Sequence, residues 1–417
     1  MGILHSFTDF LWLESGTSKG APPHRLQQLG GFGVLRKTEI SSRDQLGSLD
    51  AFIEKNKGYW ILGHIGYESR SFLEPKLHCN DVRTADFCPL SFFVPRYIYH
   101  PQVYGDSLWS QEEQRLVPPE EWQKWNTDLS SEPPDPPDFH EITLLNERDY
   151  HAAIDKIFSH LQRGDIYEMN YCIPFAADGV MPDPVSVWQE MQIQQAAPFG
   201  ALYRREKNWL LCSSPERWLT KAGLRIISQP IKGTARRGRD PETDHIIKRE
   251  LLNSEKEKAE NIMIVDLVRN DLGRIAETGS VQVDELLGLY SFPAVHQLIS
   301  TISAILKTNT AFTEILKAAF PMGSMTGAPK ISAMEIIQQT EIFDRGLYSG
   351  SVGYIDPQGN FDFNVVIRSI LYNQDSGRAL FPAGSAITVH CDPTAEYHEC
   401  LLKSNSMRKA LRLPLFA

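Results

Sequence analysis

The sequence predicts a mixed α+β (α/β) fold that contains more strand than a simple alternation of strands and helices would give. Apolar side chains recur at helical spacing over about 147–162, which indicates an amphipathic helix. Runs rich in apolar and β-branched residues cover 298–305, 349–354 and 363–371, and such runs are typical of strands. The sequence therefore favours long helices packed beside several strands.

A proline-rich segment marks the clearest break in the chain. Residues 131–138 contain four prolines and three acidic residues, which exclude a helix or a central strand. A length of 417 residues allows one large or two ordinary domains. We expect an N-terminal subdomain over 1–130, with a strand within 59–67, a linker over 131–140, and a larger domain over 141–417.

Composition limits the classes of partner. A formal net charge of −10 argues against nucleic acid or an anionic membrane surface. No apolar run approaches the roughly 20 residues needed to span a membrane. Asp9 and Glu14 interrupt the apolar stretch near the N-terminus, so no signal peptide is expected. Six cysteines without CxxC spacing are typical of reduced thiols in a cytoplasmic protein. An acidic chain that binds an anion also needs local cations or a metal.

Two further helices are predicted over about 242–267 and 393–411. Each begins after an aspartate followed by a proline, which are favourable cap and first-turn residues. The first contains Glu257 and Glu260, and the second contains Glu396 and Glu399, so each pair occupies one helix face.

These four glutamates have two interpretations. If the helices face each other, the carboxylates form an oxygen site suited to Mg²⁺. If they do not, the carboxylates are ordinary solvated helix faces. Lys403, four residues after Glu399, is either a helix ion pair or a contact for a carboxylate ligand.

Three other features leave alternatives open. The glycine-rich stretches 323–330 and 383–386 could bring backbone N–H groups close to an anion, or could be tight turns. The first is not a phosphate-binding P-loop, because Pro329 intervenes and the spacing to Lys330 differs. Lys232 lies in a short strand-like segment, where a lysine is usually exposed but would be a nucleophile if burial lowered its pKa.

Several long segments together resemble the anthranilate/para-aminobenzoate synthase family of chorismate-using enzymes. They occur in family order, densely over about 147–411 and sparsely before. The matching segments are 63–67, 164–170, 214–217, 230–234, 259–261, 265–274, 326–330, 333–337 and 395–397. The resemblance implies the family fold, with stacked antiparallel β-sheets flanked by helices. It also makes 141–417 the chorismate-binding catalytic domain and 1–130 an N-terminal subdomain of the anthranilate synthase component I type.

The resemblance implies roles for the four glutamates and for a carboxylate-binding wall. The glutamates matching Glu260 and Glu399 ligate Mg²⁺, and those matching Glu257 and Glu396 support it through water. The metal holds the ring carboxylate of chorismate. The enolpyruvyl carboxylate is held by an arginine, a tyrosine and backbone groups. The implied substrate-binding residues are Gly233, Thr234, Tyr354, Arg368, Gly384, Ser385, Ala386 and Lys403.

The resemblance also implies catalytic residues and a choice among family members. The implied set is Lys232, Glu216, Thr326 and Gln297. Aminodeoxychorismate-forming members typically have lysine at the position of Lys232, where it attacks C2 of chorismate, and anthranilate-forming members have alanine. We therefore expect amination of chorismate by ammonia, with burial and Mg²⁺ lowering the pKa of Lys232. An anthranilate synthase component I and an inactive chorismate-binding protein are the alternatives.

Departures from the family pattern motivate the inactive alternative. Gln297 stands where anthranilate-forming members have a histidine, and a glutamine cannot serve as a general acid. Ala386 replaces a glycine, so a left-handed conformation there would be strained. No segment resembles a glutamine amidotransferase, so a separate subunit is expected to release the ammonia.

Overall fold

The computed structural model describes residues 2–16, 27–77, 87–125, 135–293 and 295–416. In these ranges no helix is both long enough and apolar enough to cross a membrane. Residues 131–134 of the expected linker and Cys79 lie outside the described part of the chain.

Strands make up the centre of the molecule. They are β1 (Asp9–Glu14), β2 (Gln28–Ile40), β3 (Ile61–Ile65), β4 (Leu90–Tyr99), β5 (Leu108–Ser110), β6 (Arg115–Val117), β7 (Asp138–Ile142), β8 (Glu168–Ile173), β9 (Ala176–Val180), β10 (Phe199–Arg205), β11 (Asn208–Ser214), β12 (Arg217–Ala222), β13 (Arg225–Gln229), β14 (Ile231–Arg236), β15 (Gln282–Ser291), β16 (Val295–Ile305), β17 (Gly327–Ala328), β18 (Ser351–Ile355), β19 (Phe361–Asn364), β20 (Ser369–Asn373), β21 (Arg378–Leu380) and β22 (Ala383–Thr388).

Helices cover the outer faces of the strands. They are α1 (Leu46–Lys55), α2 (Arg70–Leu73), α3 (Pro101–Tyr104), α4 (Pro119–Trp122), α5 (Glu147–Arg163), α6 (Pro184–Gln195), α7 (Pro241–Asn253), α8 (Glu255–Gly273), α9 (Phe312–Ala319), α10 (Lys330–Thr340) and α11 (Pro393–Ala410).

All described strand pairings are antiparallel, which confirms the α+β class. One continuous run of paired strands goes β7-β9-β21-β20-β11-β10-β1-β2-β4-β3-β18-β19-β12-β13-β16, and β14 and β15 both pair with β16. A separate small sheet joins β8 to β17 on one side and to β22 on the other.

Side chains alternate between two hydrophobic cores along the central strands. In β1, Leu11 packs into one core, while Phe10 and Trp12 pack into the other. In β10, Tyr203 and Leu202 divide in the same way. Because successive side chains of a strand point to opposite faces, this sheet is covered on both sides. The first core lies against the β3–β18–β19–β12 strands, and the second lies against α5, α6, α10 and α11.

Most predicted elements are confirmed, and two are wrong. The helices predicted at 147–162 and 393–411 are α5 and α11. The helix predicted at 242–267 is instead two helices, α7 and α8, separated at Ser254. Ser254 adopts extended backbone angles, and its side chain caps α8 by accepting a hydrogen bond from the backbone N–H of Glu257.

The strand predicted at 363–371 is also two strands, β19 and β20. Arg368 lies between them with a φ of 51° and therefore interrupts the extended backbone. The run of apolar residues continues across this interruption, because Val365 and Val366 are buried in the first core. The break brings the backbone of Arg368 beside β11, where its carbonyl accepts a hydrogen bond from the N–H of Ser213 at 3.1 Å.

Strands on both sides of the expected linker share one sheet. In the N-terminal part, β1 pairs with β10 and β3 pairs with β18. The division at 131–140 stays a prediction about the sequence, and β7 begins within it at Asp138. The N-terminal strands therefore contribute directly to the framework behind the site described next.

Candidate active site

A cavity of about 490 Å³ opens between α8 and α11 on one side and β14, β16 and β22 on the other. Its wall carries five acidic and five basic side chains, although the whole chain is acidic. The acidic residues are Glu216, Glu257, Glu260, Glu396 and Glu399, and the basic residues are Lys232, Arg236, Lys256, Arg368 and Lys403. A ligand whose charges sum to zero, such as a dicarboxylate with a divalent cation, matches this balance.

A β-bulge places Lys232 in the cavity wall. Ile231 is opposite Ile299, whereas Thr234 is opposite Gln297, so β14 has one more residue here than β16. Gly233 occupies the bulge with a φ of 92°, where a side chain would be strained. A Cβ on Gly233 would also lie 3.2 Å from a carboxylate oxygen of Glu257. The bulge therefore brings β14 close to α8 and turns Lys232 into the cavity.

The Lys232 ammonium contacts the carboxylate of Glu168, the first residue of β8. Only 11% of the Lys232 side chain and 1% of the Glu168 side chain are exposed. Burial alone would lower the pKa of Lys232, but Glu168, Glu260 and Glu216 together hold that pKa above its usual value. The expectation of a lowered pKa is therefore wrong for the protein without its ligands, and Lys232 is a cation.

Glu216 is buried in the cavity wall near Lys232. One of its carboxylate oxygens accepts a hydrogen bond from the Ser324 hydroxyl at 2.8 Å. Burial raises the pKa of Glu216 to about 7, and the Ser324 hydrogen bond and Lys232 only partly oppose this rise. Glu216 can therefore either donate or accept a proton near neutral pH.

Two glutamates project into the cavity from α8. Glu260 is 7% exposed, and its Oε1 atom has no hydrogen-bond partner in the described structure. Burial raises the pKa of Glu260 to about 7 and raises that of Glu257 as well. A buried carboxylate without a full set of partners is costly to ionise unless a cation accompanies it.

The other two glutamates face them from α11, each beside a lysine. Glu396 accepts a hydrogen bond from Lys256 at 2.8 Å, and Lys256 is 3.9 Å from Glu260. Glu399 is 2.5 Å from Lys403. Burial would raise the pKa of Glu399, but the nearby Lys403 keeps it below its usual value. Of the two interpretations of these glutamates, the structure therefore has α8 and α11 facing each other, with Lys256 between Glu260 and Glu396.

These residues fit a cation in charge but do not form a finished coordination set. Among the described residues, no three acidic, histidine or cysteine side chains converge closely enough to hold a metal ion. The Oε1 atom of Glu260 nevertheless has no hydrogen-bond partner among the described residues, and the Lys256 ammonium lies 3.9 Å from it. A divalent cation with oxygen ligands would satisfy it.

Arg368 and Lys403 form a basic part of the wall, where Lys403 also contacts Glu399. Arg368 has a left-handed φ of 51°, which is uncommon for a side chain of this size. Its guanidinium donates to the Lys403 carbonyl at 3.0 Å, and the Lys403 ammonium donates to the Gly384 carbonyl at 2.9 Å. Burial lowers the pKa of Arg368, although an arginine stays charged at neutral pH. The part of this guanidinium that faces the cavity could bind an anion.

The segment 383–386 belongs to strand β22. Gly384 and Ala386 line the cavity, while the intervening Ser385 is 1% exposed and does not contribute to the wall. Ala386 is absent from the residues with positive φ, so the expected backbone strain at this alanine does not occur. Since that strain was one of two reasons for an inactive protein, only Gln297 remains as a reason for that alternative.

Gln297 and Thr234 face each other across β16 and β14 and both line the cavity. The Gln297 side chain is buried, and its Oε1 atom has no hydrogen-bond partner among the described residues. Its amide can therefore hydrogen-bond to a ligand, but it cannot transfer a proton.

Besides Ser385, two predicted site residues lie outside the wall. Thr326 is fully buried, and its hydroxyl donates to the Met322 carbonyl at 3.0 Å. Tyr354 lines a separate cavity of about 50 Å³ with Leu13 and Glu14. The β18 register determines this position, because Tyr354 is opposite Leu62 and Asp362 in neighbouring strands. A different tyrosine, Tyr348, lines the main cavity with Arg368.

Sequence reasoning missed Glu168, Tyr348 and Lys256. Glu168 lies 64 residues from Lys232 in the chain, and no local pattern connects them. Lys256 lies four residues before Glu260 on the same helix face, so this helical spacing was the available signal for it.

The profile of the chorismate binding enzyme family matches residues 13–409, which includes every residue of the cavity wall. The chain belongs to the chorismate-binding enzyme family. Aminodeoxychorismate synthase component 1 of Bacillus subtilis is 31% identical over 366 residues, which cover 84% of this chain and 77% of that protein. The probable chloroplastic aminodeoxychorismate synthase of rice is 40% identical over 266 residues, covering 63% of this chain and 30% of the rice protein.

The chorismate-binding fold is also found in a solved structure. Anthranilate synthase component I from Streptococcus pneumoniae superimposes with a TM-score of 0.76 at 23% identity, covering 93% of both chains. At this identity the likeness establishes the fold, which confirms the expected family architecture.

Proposed function

We propose that this chorismate-binding enzyme aminates chorismate with ammonia and forms 4-amino-4-deoxychorismate, a precursor of para-aminobenzoate and folate. The observation that carries the proposal is the position of Lys232. This buried lysine is turned into the cavity by a β-bulge, in a chain that belongs to the chorismate-binding enzyme family. The names of the rice and Bacillus subtilis relatives support the same activity.

Binding of the substrate would use both sides of the cavity. Arg368 would donate to the enolpyruvyl carboxylate, because its planar guanidinium matches a carboxylate with two parallel hydrogen bonds. Gly384 and Ala386 would bring backbone close to the same group, and Lys403 would add positive charge. Glu260 and Glu399, supported by Glu257 and Glu396, would hold a Mg²⁺ ion that neutralises the ring carboxylate.

Lys232 would supply the attacking nitrogen. Its amine attacks C2 of the ring while the 4-hydroxyl group leaves, and ammonia then attacks C4 and expels the lysine. Glu216, with a pKa of about 7, can donate and accept protons while ammonia replaces the lysine nitrogen. Gln297 would orient the departing hydroxyl by a hydrogen bond. The enolpyruvyl group remains on the product.

The product distinguishes this activity from others. With chorismate, Mg²⁺ and an isotopically labelled ammonium salt, we expect a product that keeps the enolpyruvyl group and gains one labelled nitrogen, measured by liquid chromatography and mass spectrometry. Anthranilate would indicate the alternative activity, in which pyruvate is eliminated. No consumption of chorismate would indicate a binding protein.

The source of ammonia gives a second test. We propose that a separate glutamine amidotransferase subunit supplies ammonia, since the Bacillus subtilis relative is named as component 1 of an aminodeoxychorismate synthase. Ammonium salts at mildly alkaline pH should then support turnover of the purified chain, whereas glutamine should support it only after a glutaminase subunit is added. Glutamine-dependent turnover by the purified chain alone would contradict this proposal.

A further inference from the structure

We propose that Glu168 is a positioning residue that keeps the nitrogen of Lys232 cationic and oriented throughout the amination cycle. This inference rests on the proposed function for its chemistry, but its geometry is independent of it.

The backbone of Glu168 is fixed from two sides. Glu168 is opposite Ala328 of β17 and opposite Thr388 of β22, in the middle strand of the small sheet. Its side chain is 1% exposed. One carboxylate oxygen contacts the Lys232 ammonium, and the other is buried without a hydrogen-bond partner in the described chain. Lys232 belongs to the large sheet, so this contact connects the two sheets below the cavity.

Other charged groups face Lys232 less directly. Helix α8 contributes Glu257 and Glu260, and the segment before β12 contributes Glu216. The Glu216 carboxylate is already bonded to Ser324. Of these carboxylates, Glu168 is the one in hydrogen-bond contact with the ammonium. An ammonium buried to this degree would be strongly destabilised without such a partner.

A constant positive charge on this nitrogen balances the proposed reaction. The Lys232 ammonium gives one proton to the departing 4-hydroxyl group, which leaves as water while the C4–O bond breaks. The freed lone pair forms the N–C2 bond, so the adduct is a secondary ammonium. Ammonia then forms the C4–N bond, the C2–N bond breaks, and one proton returns from the new C4 ammonium to Lys232. Glu168 faces a cation before and after each step.

The direct test measures the protonation of Lys232 without chorismate. Acetic anhydride acylates neutral amines, so the rate at which it labels Lys232, followed by peptide mass spectrometry, reports the neutral fraction at each pH. Glu168→Gln keeps the shape but removes the charge. Because burial then acts with less opposition, labelling of Lys232 at pH 8 should increase at least about tenfold, as for a one-unit fall in pKa.

The same variant should change the pH profile of turnover. If the ammonium must donate a proton to the hydroxyl, the ratio of wild-type to Glu168→Gln kcat/KM should rise between pH 7 and pH 9.5. The rise should be about twofold if the pKa of Lys232 falls to one unit below the ordinary lysine value of about 10.4, and larger for a greater fall. The availability of free ammonia cancels in this ratio. A purely structural defect would lower kcat/KM equally at both pH values.

A second buried pair supplies the matched control. Lys330 and Asp271 are 12% and 8% exposed, and Asp271 does not line the active cavity. Asp271→Asn should increase labelling of Lys330 and leave labelling of Lys232 unchanged. If Glu168→Gln folds poorly by circular dichroism, Glu168→Asp, which keeps the charge but shortens the reach, should give a smaller increase in Lys232 labelling.

Unchanged labelling of Lys232 in a folded Glu168 variant would overturn the inference, as would a kcat/KM ratio that does not vary with pH. Failure of wild-type protein to aminate chorismate would overturn the proposed function instead. The labelling result would still decide whether Glu168 holds the cation.

Discussion

Lys232→Ala is expected to lower kcat/KM for aminodeoxychorismate formation by at least about a hundredfold, which corresponds to about 2.7 kcal/mol of transition-state stabilisation. The substitution removes the proposed nucleophile, and any residual turnover should occur by direct attack of ammonia on chorismate. Steady-state rates with an ammonium salt, measured from the labelled product, check this expectation.

Lys232→Arg separates the nucleophilic role from an electrostatic one. Arginine would keep a positive charge beside Glu168, but its guanidinium stays protonated and is a poor nucleophile. It should therefore be as slow as the alanine variant. A Lys232→Arg enzyme with near wild-type rate would mean that Lys232 contributes only charge.

Glu260→Gln is expected to lower both Mg²⁺ affinity and kcat/KM by at least about 100-fold, since loss of even an outer-shell partner of a metal costs about 10–100-fold. The reason is Glu260 in the wall of the cavity where the cation is proposed, since its Oε1 atom has no hydrogen-bond partner in the described part of the chain. Mg²⁺ affinity can be measured by calorimetric titration, and the rates by the product assay.

Two comparisons control the Glu260 variant. Glu255→Gln makes the same change on the same helix at a side chain that is 88% exposed, and it should alter neither quantity. The pKa of Glu260 rises from about 4.5 to about 7 on folding, so its ionisation destabilises the folded protein progressively between these pH values and by a constant amount above them. In chelator at pH 8, Glu260→Gln should therefore melt no lower than wild type. Full activity in excess chelator would contradict the metal proposal.

Local patterns in the sequence predict the elements that carry the acidic part of the site. The cap and proline at the start of α11, and the spacing of Glu396 and Glu399, depend only on neighbouring residues. For α7 and α8 the same signals predict helix but not the interruption, because Ser254 is compatible with both a helix interior and a cap.

Pairing between strands that are distant in the sequence determines the other parts of the site, and the sequence of one chain does not reveal that pairing. The bulge that turns Lys232 inward arises from the register between β14 and β16. The sign of its pKa shift depends on Glu168, which comes from another sheet. The wall contains Tyr348 instead of the predicted Tyr354 for a similar reason. The β18 register places Tyr354 opposite Leu62 of β3, where it lines the smaller cavity.

The most direct test of a nucleophilic Lys232 is the mass of the intact protein after exposure to chorismate and Mg²⁺ in the absence of ammonia. Without the second nucleophile, the adduct should accumulate. We expect wild-type protein to be heavier by chorismate minus one water, with the added mass on the peptide that contains Lys232, and we expect no such species for Lys232→Ala. The assignment of Lys232 as the nucleophile would be contradicted by wild-type protein that stays unmodified, yet forms aminodeoxychorismate once ammonia is added at a rate that Lys232→Ala matches.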